Sequence, residues 1–395
     1  MWMEYKPDTE EVCNNPPSLS SRVYKTVLLF TGDMEYMDKY MQDKPYLLQL
    51  AVCCFRGVSR VSLANNPLSG ALILAALYWD SPWQGLLGTL GTLVSTLTAV
   101  VIGQDSAEVL GGLHAYNGTL VSLLIGVFNS AGDWYWLLLL PVCFSSVSCV
   151  FLQSGLSSLL AHWDLSSSVY PFNIVLLLYL LCTGPDNPYF PHYQVLPPGG
   201  LDVNDTNVIA LEMIRAVPLG VGQIFACATL GPSFLIFGAV VLYSPLLAAH
   251  AMLGSAIGLL AGLSVAVRHD HLYSGLSGLN GALGCMVVGG LFFTLNWRTH
   301  LFAVASAFFA SYFDIALGNL LGTVGLPSSS VAATFTVTLM SLLTGTLAQH
   351  RIPPSQVSSP ELNLLCRSKW KITRTSEEEC TAQFSPSAQI TLPNL

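Results

Sequence analysis

Charge is what this 395-residue chain has least of. Asp, Glu, Lys and Arg together make up 10% of it, against about 25% in soluble domains. With 52% hydrophobic residues and a mean hydropathy of +0.56, a water-soluble globule is excluded. An all-α integral membrane protein in a lipid bilayer is expected, because helices satisfy their own backbone in lipid. The net charge of −8 comes with no basic face, which excludes nucleic acid as a partner. Ten cysteines show no C-x-x-C or Cys/His spacing. Neither a metal site nor a disulfide framework is expected from them, and they read as small buried hydrophobes. Glycine-rich phosphate loops, H-E-x-x-H and G-x-S-x-G are absent, so ATP-driven transport, hydrolysis and a cofactor all lack a basis. The opening MWMEYKPDTEEVCNNPPS has no apolar core of a secretory leader, and no leader is expected.

The few cations gather at the ends. Lys6, Arg22, Lys25, Lys39 and Lys44 precede residue 46, and Arg351, Arg367, Lys369, Lys371 and Arg374 follow residue 350. The positive-inside rule then puts both tails in the cytoplasm and makes the number of spans even. Residues 185–207 are Pro-rich, contain no Lys or Arg, and carry the acceptor sequon Asn204-Asp205-Thr206. They read as an extracellular loop with a glycan on Asn204.

Several apolar runs are shorter than the roughly 20 residues a helix needs to cross a bilayer. They are bounded by Gly, Asn and Pro, as in GVSRVSLANNPLSG at 57–70. Such segments suggest broken or re-entrant helices, in which Asn65, Asn66 and Pro67 interrupt the chain. The pattern occurs twice. Pro82 and Pro245, Gly91 and Gly254, Asn117 and Asn280, and Leu120 and Leu283 all stand 163 residues apart, as do GVSR and GVGQ. Further on the offset becomes 161: LSSSV at 165–169 meets LPSSS at 326–330. With both tails inside and the midpoint outside, each copy crosses an odd number of times, so the copies are inverted. Inverted repeats place a solute path between broken helices.

The expected layout is therefore 1–45, a cytoplasmic segment with an interfacial helix on which Met34, Met37 and Met41 recur. The first membrane repeat (46–184), the extracellular loop (185–207), the second repeat (208–348) and a cytoplasmic disordered tail (349–395) follow. Ionisable groups inside the apolar runs are scarce, which disfavours ion coupling and favours passive movement of a small neutral polar solute. Asp314 is the one carboxylate well inside such a run, with Gln153 at the matching place in the first copy. It either offsets Arg60 or a contact between protomers, or stands hydrated near a helix end or cavity. Asn117 and Asn280 are expected to bond backbone groups freed at a bend, and the Gly85, Gly88, Gly91 series to let helices pack closely.

These stretches resemble the urea transporter family. The resemblance is carried by GVSRVSLANNPLSG, LHAYNGTLVSLL, WYWLLLLPVC, HWDLSSSVYPFN, LEMIRAVPLGVGQI and LSGLNGALG, and spans about residues 45–347. It implies two inverted repeats of five spanning helices, each with a re-entrant half-helix, about ten spans in all. It also implies a homotrimer with one slot-shaped pore per protomer and uncoupled urea flux across the plasma membrane. Carried over residue by residue, it places Gln at the positions of Arg60 and Gln223. It makes Leu63 and Phe225 slot walls and Leu120 and Leu283 the narrowing pair, and it puts Val169 and Ser330 where a threonine pair stands. Half one keeps Asn65-Asn66-Pro67 and Pro171. Half two departs, with Cys227-Ala228-Thr229-Leu230-Gly231 in place of an Asp-Asn-Pro break and Val331-Ala332-Ala333-Thr334 in place of Tyr-Pro-Phe-Asn. Arg60 is the largest departure, because Arg donates hydrogen bonds and cannot accept one. It reads as a pore-mouth filter or as a side chain reaching for the headgroups. The alternative to urea is another small neutral solute: water, ammonia or a small amide.

Overall fold

The computed structural model describes residues 29–41, 43–200 and 207–365. Asn204, and the tail residues outside those limits, lie outside the described residues. Among the described residues the chain is helical, with only the isolated bridges Asn129–His192 and Phe293–Arg351 in extended pairing.

A short helix α1 (Glu35–Met41) buries Met41 and exposes Tyr36 and Tyr40. It leads to α2 (Tyr46–Arg60), α3 (Pro67–Asp80), α4 (Pro82–Val101), the one-turn α5 (Ser106–Leu110), α6 (Tyr116–Phe128), α7 (Leu139–Ala161) and α8 (Tyr170–Thr183). The second half repeats this order as α9 (Ala210–Gly222), α10 (Leu230–Tyr243), α11 (Pro245–Ser264), α12 (His269–Tyr273), α13 (Leu276–Met286), α14 (Trp297–Gly322) and α15 (Val331–Ser341).

Four helical stretches among the described residues are long and apolar enough to cross a membrane: Pro82–Val101, Trp136–Ala161, Pro245–Ser264 and Trp297–Gly322. A fifth is the pair α9–α10, bent by 74°. Helix length alone thus gives four or five spans rather than ten, because breaks divide the remaining apolar runs into pieces of 10–17 residues. These helices are apolar outward as well as inward. Phe144, Phe151, Leu178, Leu181, Ile214 and Phe234 are all exposed, a surface suited to lipid rather than water.

The two halves share unusual backbone as well as order. Left-handed φ occurs at Leu63 and Ala226, Gly103 and Ala266, and Gly112 and Gly275, each pair 163 residues apart. At an offset of 161 it occurs at Asp164 and Gly325, Ser168 and Ser329, and Gly184 and Gly345. Left-handed φ costs a non-glycine residue roughly 1–2 kcal/mol. Its recurrence beneath different side chains shows that the path of the backbone, not the residue type, is duplicated.

The break after α2 is built by Asn66. Its Oδ1 caps α3 by accepting from Leu68 N at 2.9 Å and Ser69 N at 3.2 Å, while Pro67 sits at the first helical position, where no N–H is needed. Its Nδ2 donates to Phe30 O and Gly32 O, both at 3.0 Å, and so holds the N-terminal segment. In half two the Asn-Pro signal is missing, yet the bend persists. Ala226 supplies the left-handed turn that Leu63 supplies in half one, and the hydroxyl of Thr229 bonds Asp80 instead of capping α10. Helices α3 and α10 run antiparallel across the centre, with Ser69 Oγ donating to Ala239 O at 2.7 Å. In place of a tail without structure from 349 onward, residues 350–365 run back across the bundle. Asn363 donates to Gly290 O and Leu291 O, and Glu361 accepts from Ser244 Oγ and Leu246 N.

Candidate functional site: a cavity between the two breaks

A cavity of about 1100 Å³ lies between the halves. Arg60, Leu63, Leu120, Val169, Gln223, Leu283 and Ser330 all line it, as do Asn65 and Asn280. Phe225 does not: it is buried in the core, and its neighbour Ile224 faces the cavity instead. Asn66, Pro67, Asn117 and Pro171 are buried behind the wall.

Helices α8 and α15 both begin at the cavity wall. Val169 and Ser330 occupy the positions before the first turn of each, and each follows a left-handed serine, Ser168 or Ser329. One asparagine secures each of these starts. Asn117 donates to Ser168 O at 3.3 Å and accepts from Phe172 N at 3.2 Å. Asn280 donates to Ser329 O at 2.8 Å and accepts from Ala333 N at 2.9 Å. Each amide thus satisfies one carbonyl and one N–H that the break leaves without intrahelical partners. The two starts also touch, since Asn173 Nδ2 donates to Ser330 Oγ at 3.2 Å and the Tyr170 and Thr338 hydroxyls meet at 2.9 Å.

Behind these asparagines, Gln153 accepts from Asn117 Nδ2 at 2.8 Å. Its counterpart Asp314 accepts from Ser328 Oγ at 2.7 Å and lines the cavity at only 5% exposure. No ion pair joins Asp314 to Arg60 among the described residues, and of its two expected settings Asp314 has the one beside a cavity. Arg60 instead donates Nε to Gly111 O.

The two ends of the cavity differ. Around Arg60 stand Asp33, Glu108 and Tyr243, together with Pro354, Ser355 and Val357 from the returning segment. Asp33 accepts from the Tyr243 hydroxyl at 3.1 Å and from Ser359 N at 3.0 Å, which clasps both end segments at this mouth. Around Gln223 stand Arg268, Asp270, His271 and Gln194. Arg268 pairs with Asp270 at 3.1 Å, and His271 Nδ1 lies 2.9 Å from Ser277 Oγ. Burial pushes the His271 imidazole down to about 4, with Asp270 pulling the other way, so it is neutral at pH 7.

Sequence reasoning did not find Asp33, Tyr243 or residues 354–357. They reach the cavity only through tertiary packing of segments far from either repeat motif, and a polar Ser/Pro tract carries no local signal for it. Arg268 and Asp270 were visible as charges closing an apolar run, but nothing local tied them to a mouth.

Among the described residues no group of three or more metal-ligating side chains occurs. A bundle with an apolar exterior, breaks at its centre and a polar-ended cavity between them defines a multi-pass membrane transport protein. The family model described as "Urea transporter" matches residues 51–345. Urea transporter 1 of Ovis aries is 39% identical over 344 residues, covering 87% of this chain and 90% of that protein. Urea transporter 1 of Rattus norvegicus is 41% identical over 335 residues, covering 84% and 87%. The chain belongs to the urea transporter family.

Proposed function

We propose that this protein is a passive, channel-like urea transporter, carrying urea down its gradient through one path in each protomer. The observation that carries this reading is the cavity between two helix breaks in a chain of this family. Relatives named as urea transporters favour urea over water, ammonia or other amides. It is a transporter and not an enzyme.

Planar urea has four N–H donors and one carbonyl, and each polar group stripped of water without a replacement costs roughly 2–7 kcal/mol. Leu120, Leu283, Val169 and Leu63 would form the walls of a flat slot, while Gln223 and Ser330 offer oxygens to passing N–H groups. Asn117, behind the wall, and Asn280, at it, would hold the backbone of that slot.

We place the path across the plasma membrane with ten crossings, five in each inverted half, and both termini in the cytoplasm. Four facts support this. Helix α4 starts beside Thr229, near the Gln223 break, and leads to Glu108 at the Arg60 mouth. Helix α11 starts beside Glu361, at the Arg60 mouth, and leads to Arg268 at the Gln223 mouth. Each has 20 residues, about 30 Å of helix, the thickness of the hydrocarbon core. End segments gather at one mouth and the 185–200 linker at the other, as odd crossing numbers per half require. A homotrimer accords with the family resemblance, with a cavity contained within one chain, and with the broad apolar exterior.

Stopped-flow measurement of urea efflux from vesicles holding the purified protein tests the reading. Saturable flux well above protein-free vesicles, indifferent to proton and sodium gradients, is expected. Flux equal to protein-free vesicles would overturn it.

A further inference from the structure

The two residues at the cavity's ends are anchored in the same way yet offer the solute opposite groups. Gln223 donates Nε2 to Ser274 O at 2.9 Å, and Arg60 donates Nε to Gly111 O. Residues 60 and 223 are 163 apart, and so are 111 and 274. Each side chain is therefore tied to the equivalent carbonyl of its own half. A carbonyl can only accept, so this bond fixes the Gln223 amide with its oxygen as the free end. None of the described residues donates to that Oε1, and Gln223 lines the cavity. On Arg60 the anchor uses Nε alone. The two terminal nitrogens, four N–H donors with a permanent positive charge, have no hydrogen-bond acceptor among the described residues, and the side chain lines the other end of the cavity. The carboxylate of Asp33 lies within electrostatic reach but is committed to Tyr243 and Ser359.

We infer that Arg60 is a specificity-determining residue that reads the solute's oxygen, whereas Gln223 reads its N–H groups. This rests on the urea reading above. At the Gln223 mouth any planar molecule bearing N–H donors satisfies the amide oxygen. At the Arg60 mouth only a solute with a strong acceptor on its central carbon replaces the hydration of a guanidinium, and a cation is repelled. Urea, thiourea and guanidinium share a planar shape and N–H groups, but their central acceptor is respectively strong, weak and absent. The chain should pass urea, pass thiourea poorly and resist guanidinium applied at the Arg60 side.

The test compares the parent protein with Arg60→Gln and Arg60→Lys in vesicles, after size-exclusion profiles establish that each is folded. Urea and thiourea fluxes are measured, together with inhibition of urea flux by guanidinium added on the Arg60 side. Arg60→Gln removes the donors that meet the urea oxygen, so it is expected to lower urea flux severalfold while raising the thiourea-to-urea ratio about tenfold, equivalent to about 1.4 kcal/mol. It should also make guanidinium about tenfold more inhibitory. Arg60→Lys keeps the charge and a donor, so it should leave guanidinium excluded. Urea flux with an unchanged thiourea ratio in Arg60→Gln would overturn the inference alone. So would parent protein that passes thiourea as readily as urea, a result that needs no variant. Absence of urea flux in the parent and both variants would overturn the transport reading and this inference with it.

Discussion

Replacing Asn280 by Ala removes two hydrogen bonds at one buried point, to Ser329 O at 2.8 Å and from Ala333 N at 2.9 Å. Side-chain bonds between membrane helices average only about 0.6 kcal/mol, because the unfolded protein finds other partners within its own helices. Here both partners are main-chain groups at a break, and leaving such a group buried and unpaired costs about 1–3 kcal/mol. The second figure governs, so Asn280→Ala should lower stability by about 3 kcal/mol. It should also impair flux, because Ser329, whose φ of 47° the amide restrains, sits between the cavity-lining Ser328 and Ser330. Asn280→Asp keeps an acceptor for Ala333 N and loses the donor to Ser329 O, so it should be intermediate before its charge is counted. Asn117→Ala should spare more of its own break, since the Tyr116 hydroxyl also donates to Ser168 O at 2.7 Å. Denaturation in detergent followed by tryptophan fluorescence, with urea flux normalised to folded protein, measures both quantities. If Asn280→Ala stayed within about 0.5 kcal/mol of the parent, these bonds would not be what secures the break.

Other outcomes follow from particular contacts. Gly254→Ala would push a methyl group into Gly281 O and to within 2.9 Å of Ala282 Cα, so it should strongly reduce folded yield, whereas Gly155→Ala meets open space and should gain about 0.5–1 kcal/mol from helix propensity. Asp33→Ala removes the acceptors of both Ser359 N and the Tyr243 hydroxyl; proteolytic cleavage within 350–360 should then accelerate severalfold, as band intensity over time would show. His271 titrates near pH 4 when folded, against about 6.5 unfolded. The unfolded chain therefore binds more protons between those values, so this contribution to stability is complete above pH 6.5 and is lost as pH falls toward 4. Urea flux should show no His271 transition between pH 7 and 8, and His271→Gln should flatten part of the fall in stability between pH 6.5 and 4.

How much of this could be read from residues alone depended on where the signal lay. The pairing of Asn117 with Asn280 was legible because a polar amide in an apolar run has few ways to be satisfied, and both do bond backbone freed at a break. The Asn65-Asn66-Pro67 break was legible from proline and capping chemistry. The matching break in half two was not, because Ala226 makes the left-handed turn there without glycine or asparagine. Span number was poorly legible, since breaks cut helices to lengths that hydropathy treats as too short. For Asp314 the sequence left two readings, an offset to Arg60 or a contact between protomers and a place near a helix end or cavity; the residue lines the cavity and binds the Ser328 hydroxyl, three residues before the start of α15. The clasp of Asp33 on Tyr243 and Ser359 joins segments more than 200 residues apart, and no local pattern announces such a contact.

The ends of the cavity, with Arg60 at one and Gln223 at the other, bear on what direction can mean for such a molecule. With no energy source, detailed balance forces net movement to vanish whenever concentrations on the two sides are equal, however unlike the two mouths are. Unlike mouths can still saturate at different concentrations, provided that the ratio of the two maximal one-way rates equals the ratio of the two half-saturation concentrations. Equilibrium exchange of labelled solute is therefore blind to the difference. It emerges only when one side starts empty, so the same cell would load and unload along different curves while obeying the same end point.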